Sequence, residues 1–210
     1  MAKVLLGVTG SVAAIKTPEL FAALNARGHS VRIVATRPAT YFFDPAAIQP
    51  IHGASNRNVV ALDEDEWPGD RYRRGDEVLH IELRRWADLL LIAPLDANTL
   101  AKLAYGLSDN CLTCVWRAWE PARPVLLAPA MNTLMWENAI TRRHLNALTS
   151  DALPRDLDQD ELVAAINQTG GPLRIVPPIS KQLACGDIGV GAMASIPDII
   201  SQVDASLRPI

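Results

Sequence analysis

Five short stretches of nearly unbroken apolarity run along the chain: KVLLGV (3–8), SVRIVAT (30–36), ADLLLIAP (87–94), PVLLAPA (124–130) and LRIVPP (173–178). They are rich in Val, Leu and Ile, and Gly or Pro closes most of them. Runs of this kind suit parallel strands covered on both faces. Between them lie stretches with helical spacing: 17–28, 97–106, 109–119 and 134–149. The first carries helix punctuation, with Thr17 expected as the cap, Pro18 at the first helical position and Gly28 past the last turn. Strand and helix alternate, which predicts an α/β fold: a doubly wound, mainly parallel sheet with helices on both faces.

Two stretches interrupt this alternation. LDEDEWPGDRYRRGDE (62–77) reads as a charged connection, and 150–171 as a connection containing a short amphipathic helix. Neither side of either stretch holds a complete sheet alone, so residues 1–210 are expected to form one domain. No repeat or low-complexity segment is visible.

Composition narrows the function classes. A formal charge of −3 gives no footing for a nucleic-acid binder, which needs a surplus of Lys and Arg against phosphates. No apolar run approaches the ~20 residues that cross a bilayer, and MAKVLLGVTG reads as a buried strand rather than a leader. Three cysteines make no disulfide framework, so the expected location is the cytoplasm, with reduced thiols.

Candidate chemistry gathers where strands end. GVTGSVAAIK (7–16) places Gly10 and Ser11 at a turn that can cradle a phosphate or serve only as a tight strand-to-helix connection. The spacing is not G-x-G-x-x-G, and the second strand ends in VATRPAT without a ribose-binding acid, which disfavours NAD and suits a mononucleotide. APLDANTLAK (93–102) and APAMNTLMW (128–136) each follow a strand with a Pro and then an amide, Asn98 or Asn132. Either amide fits a flavin edge or a carboxylate, and either fits a helix cap. His80, among Leu and Ile, is a candidate base or a structural imidazole; His29, His52 and His144 have weaker contexts. Cys111 and Cys114 form CLTC inside a helical pattern, which favours buried thiols over a redox pair. No His or Cys cluster has zinc spacing. Trp116, Trp119 and Trp136 read as core or interface aromatics. Cys185 sits in KQLACGDIGVGAM (181–193), where Gly186, Gly189 and Gly191 allow a loop to close and an ordinary thiol is protonated at neutral pH.

Together, GVTGSVAAIK, DEDEW, VLHIELRRWADLLLIAPLDANTLAKLAYGLSDN, LTCVWRAW, APAMNTLMW and LACGDIGVGAM resemble the homo-oligomeric flavin-containing cysteine decarboxylases over most of residues 3–194. The resemblance implies FMN as cofactor, with Gly10, Ser11 and Val12 at its phosphate end. Thr36, Arg37 and Pro38 lie nearby in that reading, and Asp96, Ala97, Asn98, Thr99 and Ala130 line the flavin. It implies His80 as the essential imidazole and Asn132 as the ligand of the substrate carboxylate. Gln182, Leu183 and Ala184 become substrate contacts, and Cys185 the proton donor.

The implied substrate is phosphopantothenoylcysteine, converted to phosphopantetheine in coenzyme A biosynthesis. In such a reaction the carbon bearing the thiol is oxidised with FMN as electron acceptor, carbon dioxide leaves the thioaldehyde, and the enethiolate is protonated and reduced again. A trimer or an assembly of trimers is implied. Because the chain ends soon after its last helix, the ligase that makes the substrate is expected on a separate chain, or the activity differs. A peptidyl-cysteine decarboxylase and a non-catalytic FMN-binding regulator are the alternatives. This chain departs from the pattern in three places: Asp96 replaces a small residue, Gln182 replaces a basic one, and 150–171 is longer than usual.

Overall fold

The computed structural model describes residues 1–48, 59–67, 69–71, 73–150, 152–154, 156–182 and 188–207. Its centre is a parallel sheet of β1 (Lys3–Val8), β2 (Ser30–Ala35), β3 (Val60–Ala61), β4 (Leu89–Leu95), β5 (Val125–Pro129) and β6 (Leu173–Ile175), in the order β3-β2-β1-β4-β5-β6. The chain works outward from β1 in one direction, returns, and works outward from β4 in the other. Sequence-adjacent connections therefore diverge between β1 and β4, and a crevice opens at the carboxyl ends of those strands.

Successive side chains go to opposite faces. Val4, Leu6, Val8, Ile33, Leu89, Leu91 and Leu126 join one core cluster, against α1 (Thr17–Ala26) and α9 (Ile196–Ser206). Leu5, Val34, Leu90, Ile92 and Leu127 join the other. Packed against that second face are α3 (Leu79–Trp86), α4 (Ala97–Tyr105), α5 (Cys111–Arg117), α7 (Ala139–Ala147) and α8 (Gln159–Gln168). Each fully buried Leu or Ile contributes about 1.5–3 kcal/mol, so two filled faces account for the apolar continuity of the strands. The doubly wound architecture read from the sequence is the one observed. No helix among the described residues is long and apolar enough to cross a membrane.

Local expectations change in four places. Thr17 is not a cap: a 3-10 turn over Val12–Lys16 runs directly into α1, so Thr17 is its first residue and is buried. The helix expected over 134–149 is two, α6 (Thr133–Trp136) and α7, because Asn138 caps a new start by accepting the Ile140 N–H at 2.9 Å. The charged connection contains α2 (Asp63–Glu66). Gly189 and Gly191, expected in a closing loop, lie instead in β8 (Ile188–Ala192), paired antiparallel with β7 (Ile179–Gln182), while Gly186 lies outside the described residues.

α1 and α9 meet at Asp204, which binds the Arg27 guanidinium and, at 3.2 Å, His29 Nε2. The Arg27 hydrogen bond, followed by that of His29, holds the Asp204 carboxyl below the usual range. A carboxyl depressed in the folded state adds stability above its unfolded value, and the gain is lost as pH falls through the folded value. Asp204→Asn should lower the melting temperature by about 1–3 °C at pH 7. The gap from the unsubstituted protein should narrow as the pH is taken below the ordinary carboxylate range.

Candidate functional site

Thr9 lies at the exit of β1 and is fully buried. Its hydroxyl donates to Pro94 O at 2.8 Å and accepts the Asp96 N–H at 2.7 Å, while its own N–H donates to Pro94 O at 3.3 Å. The loops leaving β1 and β4 are thereby locked together. Thr36 N–H donates to Val8 O at 3.0 Å, and Ala130 N–H to Leu95 O at 2.9 Å, bringing the exits of β2 and β5 to the same edge. Gly10 sits where these loops converge: a Cβ on it would lie 2.6 Å from Pro38 Cβ and 3.2 Å from Asp96 Oδ2. Only a residue without a side chain fits there.

The predicted cofactor residues Gly10, Ser11, Val12, Thr36, Arg37, Pro38, Asp96, Ala97, Asn98, Thr99 and Ala130 thus all belong to loops or helix starts at one sheet edge. Asp96, not Asn98, caps α4, accepting the Thr99 N–H at 2.6 Å. This corrects the capping alternative for Asn98, which is exposed in the first turn. It also gives Asp96 a structural task, because the helix N-terminus offsets its charge. Ser11 accepts the Ala13 N–H at the start of the 3-10 turn, and Arg37 and Pro38 are exposed. Thr36 Oγ1 is buried with no hydrogen-bond partner among the described residues. Hydroxyls, backbone N–H groups at a turn, an exposed amide and an exposed guanidinium form a donor set that fits FMN, the hydroxyls and turn for the phosphate and the amide for the ring edge.

His80 is the second residue of α3. Its N–H donates to Glu66 Oε2 at 3.0 Å, and its ring Nδ1 is hydrogen-bonded to Glu66 Oε1. The Glu66 side chain is 3% exposed and the imidazole 23%, so the carboxylate is enclosed while the ring stays within reach of a ligand. On the same short helix, Asp63 Oδ2 accepts the Arg37 N–H at 3.0 Å, and burial raises the Asp63 carboxyl above its ordinary value. α2 therefore connects His80 to the loop after β2. Neither Glu66 nor Asp63 was singled out in the sequence, although DEDEW contains both.

Asn132 caps α6, its Oδ1 accepting the Leu134 N–H at 2.8 Å. The β7–β8 pair is docked on this loop. Met131 N–H donates to Gly191 O at 2.9 Å. A Cβ on Gly191 would fall 2.3 Å from Met131 O, and one on Gly189 would fall 2.4 Å from Thr133 Oγ1. Gln182 ends β7; Leu183, Ala184 and Cys185 lie outside the described residues, in the connection between the two strands.

The CLTC thiols do not form a redox pair. Cys111 is buried at the start of α5, and Cys114 is half-buried with its Sγ donating to Ser108 O at 3.6 Å. Burial, reinforced by nearby carboxylates, raises both thiols above their ordinary value. Thiols so raised are poor nucleophiles. Trp136 is core, and Trp116 and Trp119 pack against it partly buried, as expected.

The family model described as Flavoprotein matches residues 1–208. The chain is similar to a phosphopantothenoylcysteine decarboxylase of Oryza sativa subsp. japonica, at 46% identity over 98% of this chain and 79% of that protein. It is likewise similar to one of Mus musculus, at 43% identity over 98% and 87%. Among solved structures, a cysteine-to-serine mutant of PPC decarboxylase complexed with pantothenoylaminoethenethiol superposes with a TM-score of 0.77. That pair is 45% identical over 97% of each chain.

Gly191 has φ +146°, and its Cα hydrogens face the Met131 carbonyl. Gly191→Ala should lift β8 from this loop. In hydrogen exchange the Met131 amide should lose protection by roughly tenfold or more, while the amides of β1 and β4 keep theirs. Unchanged exchange at Met131 would mean the docking is not held there.

Proposed function

The chain belongs to the Flavoprotein family and, within it, to the phosphopantothenoylcysteine decarboxylases, and from that premise we propose how its own residues divide the reaction. It is an FMN-dependent decarboxylase that converts phosphopantothenoylcysteine to phosphopantetheine. The observation that carries the division of labour is that three separately positioned groups share one sheet edge. These are the Gly10 junction, His80 held by α2, and Asn132 beneath the β7–β8 pair.

Bound FMN supplies a two-electron acceptor that later returns what it takes, so the reaction has no net redox change. The turn at Gly10, Ser11 and Val12 receives the phosphate end of the cofactor. Thr36, Arg37 and Pro38 close one side of it, and Asp96, Ala97, Asn98, Thr99 and Ala130 close the other. Asn132 holds the substrate carboxylate with its amide. Gln182, Leu183 and Ala184 contact the substrate. His80 takes the proton of the substrate thiol, which makes the adjacent carbon easier to oxidise. After carbon dioxide leaves, Cys185 donates a proton to the enethiolate carbon.

A trimer, or an assembly of trimers, is the form we infer. Val12, Ile15 and Tyr41 on the cofactor loops, with Leu134, Met135 and Ile140 beside Asn132, are exposed apolar side chains on the segments that carry the site. Such surface calls for cover, and further copies of the chain supply it. A cytoplasmic location suits the unpaired Cys111 and Cys114 thiols.

The purified protein should carry a yellow chromophore released as FMN, and should evolve carbon dioxide from phosphopantothenoylcysteine. Cys185→Ser should still release carbon dioxide yet accumulate the enethiol in place of phosphopantetheine. Full product formation by that variant removes the proton-donor role.

A further inference from the structure

The division of labour above leaves unused the interior side of His80. Glu66 engages this residue with both carboxylate oxygens, one at the backbone N–H and one at ring Nδ1. The Cys111 thiol, at the start of α5, lies near the same carboxylate, and burial, reinforced by that charge, raises the thiol above its ordinary value. An enclosed carboxylate is tolerated only when its oxygens are satisfied, and here His80 engages both of them. An ionised carboxylate accepts and does not donate. The ring proton of the neutral imidazole therefore sits on Nδ1, and the lone pair is left on Nε2, the end turned away from Glu66.

We propose that Glu66 is the positioning residue of the active site: it fixes His80 in the Nδ1–H tautomer and presents Nε2 as the base. The proposal rests on the reading in which His80 takes the substrate's thiol proton. α2 also joins His80 to the cofactor loop. Asp63, three residues before Glu66, accepts the Arg37 N–H, so one short acidic helix sets the imidazole relative to the segment at Thr36–Pro38.

The rival is a purely architectural Glu66 that caps the first turn of α3 through the His80 N–H. The tautomer separates the two. Flavin-loaded enzyme labelled with 15N-histidine contains four histidines, and His80→Asn identifies the resonances of His80. At a pH where the ring is neutral, long-range 1H–15N spectra should show Nδ1 protonated and Nε2 bare.

In Glu66→Gln the Nε2–H form should appear. The kcat should fall by roughly 10²-fold or more, with KM within about threefold and flavin still bound. Cys111→Ala should lower kcat by less than about tenfold, with the Nδ1–H form retained. A wild-type His80 carrying its proton on Nε2 would overturn the proposal. So would a Glu66→Gln enzyme that melts earlier but keeps tautomer and kcat. If Glu66→Gln does not fold, the wild-type spectrum decides alone. If the wild type turns over no substrate, the functional reading fails, and the same spectrum still reports whether Glu66 sets the ring.

Discussion

The Thr9 hydroxyl, with no access to solvent, ties the exit of β1 to the exit of β4 by donating to Pro94 O and accepting from the Asp96 N–H. Those two strands are neighbours at the point where the winding of the sheet reverses. Reversal opens a crevice at the carboxyl edge of any such sheet. What the residues add is a fixed separation between its two lips. Once β1 and β4 are joined there, Gly10 can lie under Pro38, Asp96 can cap α4, and Ala130 can reach Leu95 O. The loops at this edge are thus set by backbone and short side chains, which leaves little conformational freedom to lose when a ligand is bound.

Two accessories stand on this frame, and each is attached by close contact rather than by bulk. α2 is a single acidic turn whose Asp63 and Glu66 hold different partners, the loop after β2 and His80. The β7–β8 pair rests on the Asn132 loop through glycines that permit backbone to touch backbone. One accessory holds His80; the other covers the loop that carries Asn132. The core clusters beneath are ordinary in composition and carry the stability, so the edge above is free to hold buried polar groups such as Glu66 and Thr36.

The central strands were legible because both faces of the sheet are filled, which leaves an unbroken apolar signature. β3 was not, since two residues carry no period. The break between α6 and α7 was hidden by continued helical spacing across Asn138, a cap that looks like any polar surface residue. Asp96 takes the cap because it leaves the strand two residues before Asn98, and Thr17 loses it because the 3-10 turn needs no fresh start. The β7–β8 pairing was masked by Gly189 and Gly191, whose missing side chains erase the alternation that marks a strand. Most of the residues gathered at that edge were read from their motifs. Glu66 was missed because its meeting with His80 spans fourteen positions, inside a run of charges that resembles a solvated face.

If the joint between β1 and β4 governs the cofactor site, an isosteric change that removes only the Thr9 hydroxyl is the most direct test. Thr9→Val leaves Pro94 O and the Asp96 N–H short of a partner each, and FMN titrated into the variant should bind at least roughly tenfold more weakly. The sheet should still unfold cooperatively. FMN affinity equal to that of the unsubstituted protein, in a variant with the hydroxyl gone, would contradict the account.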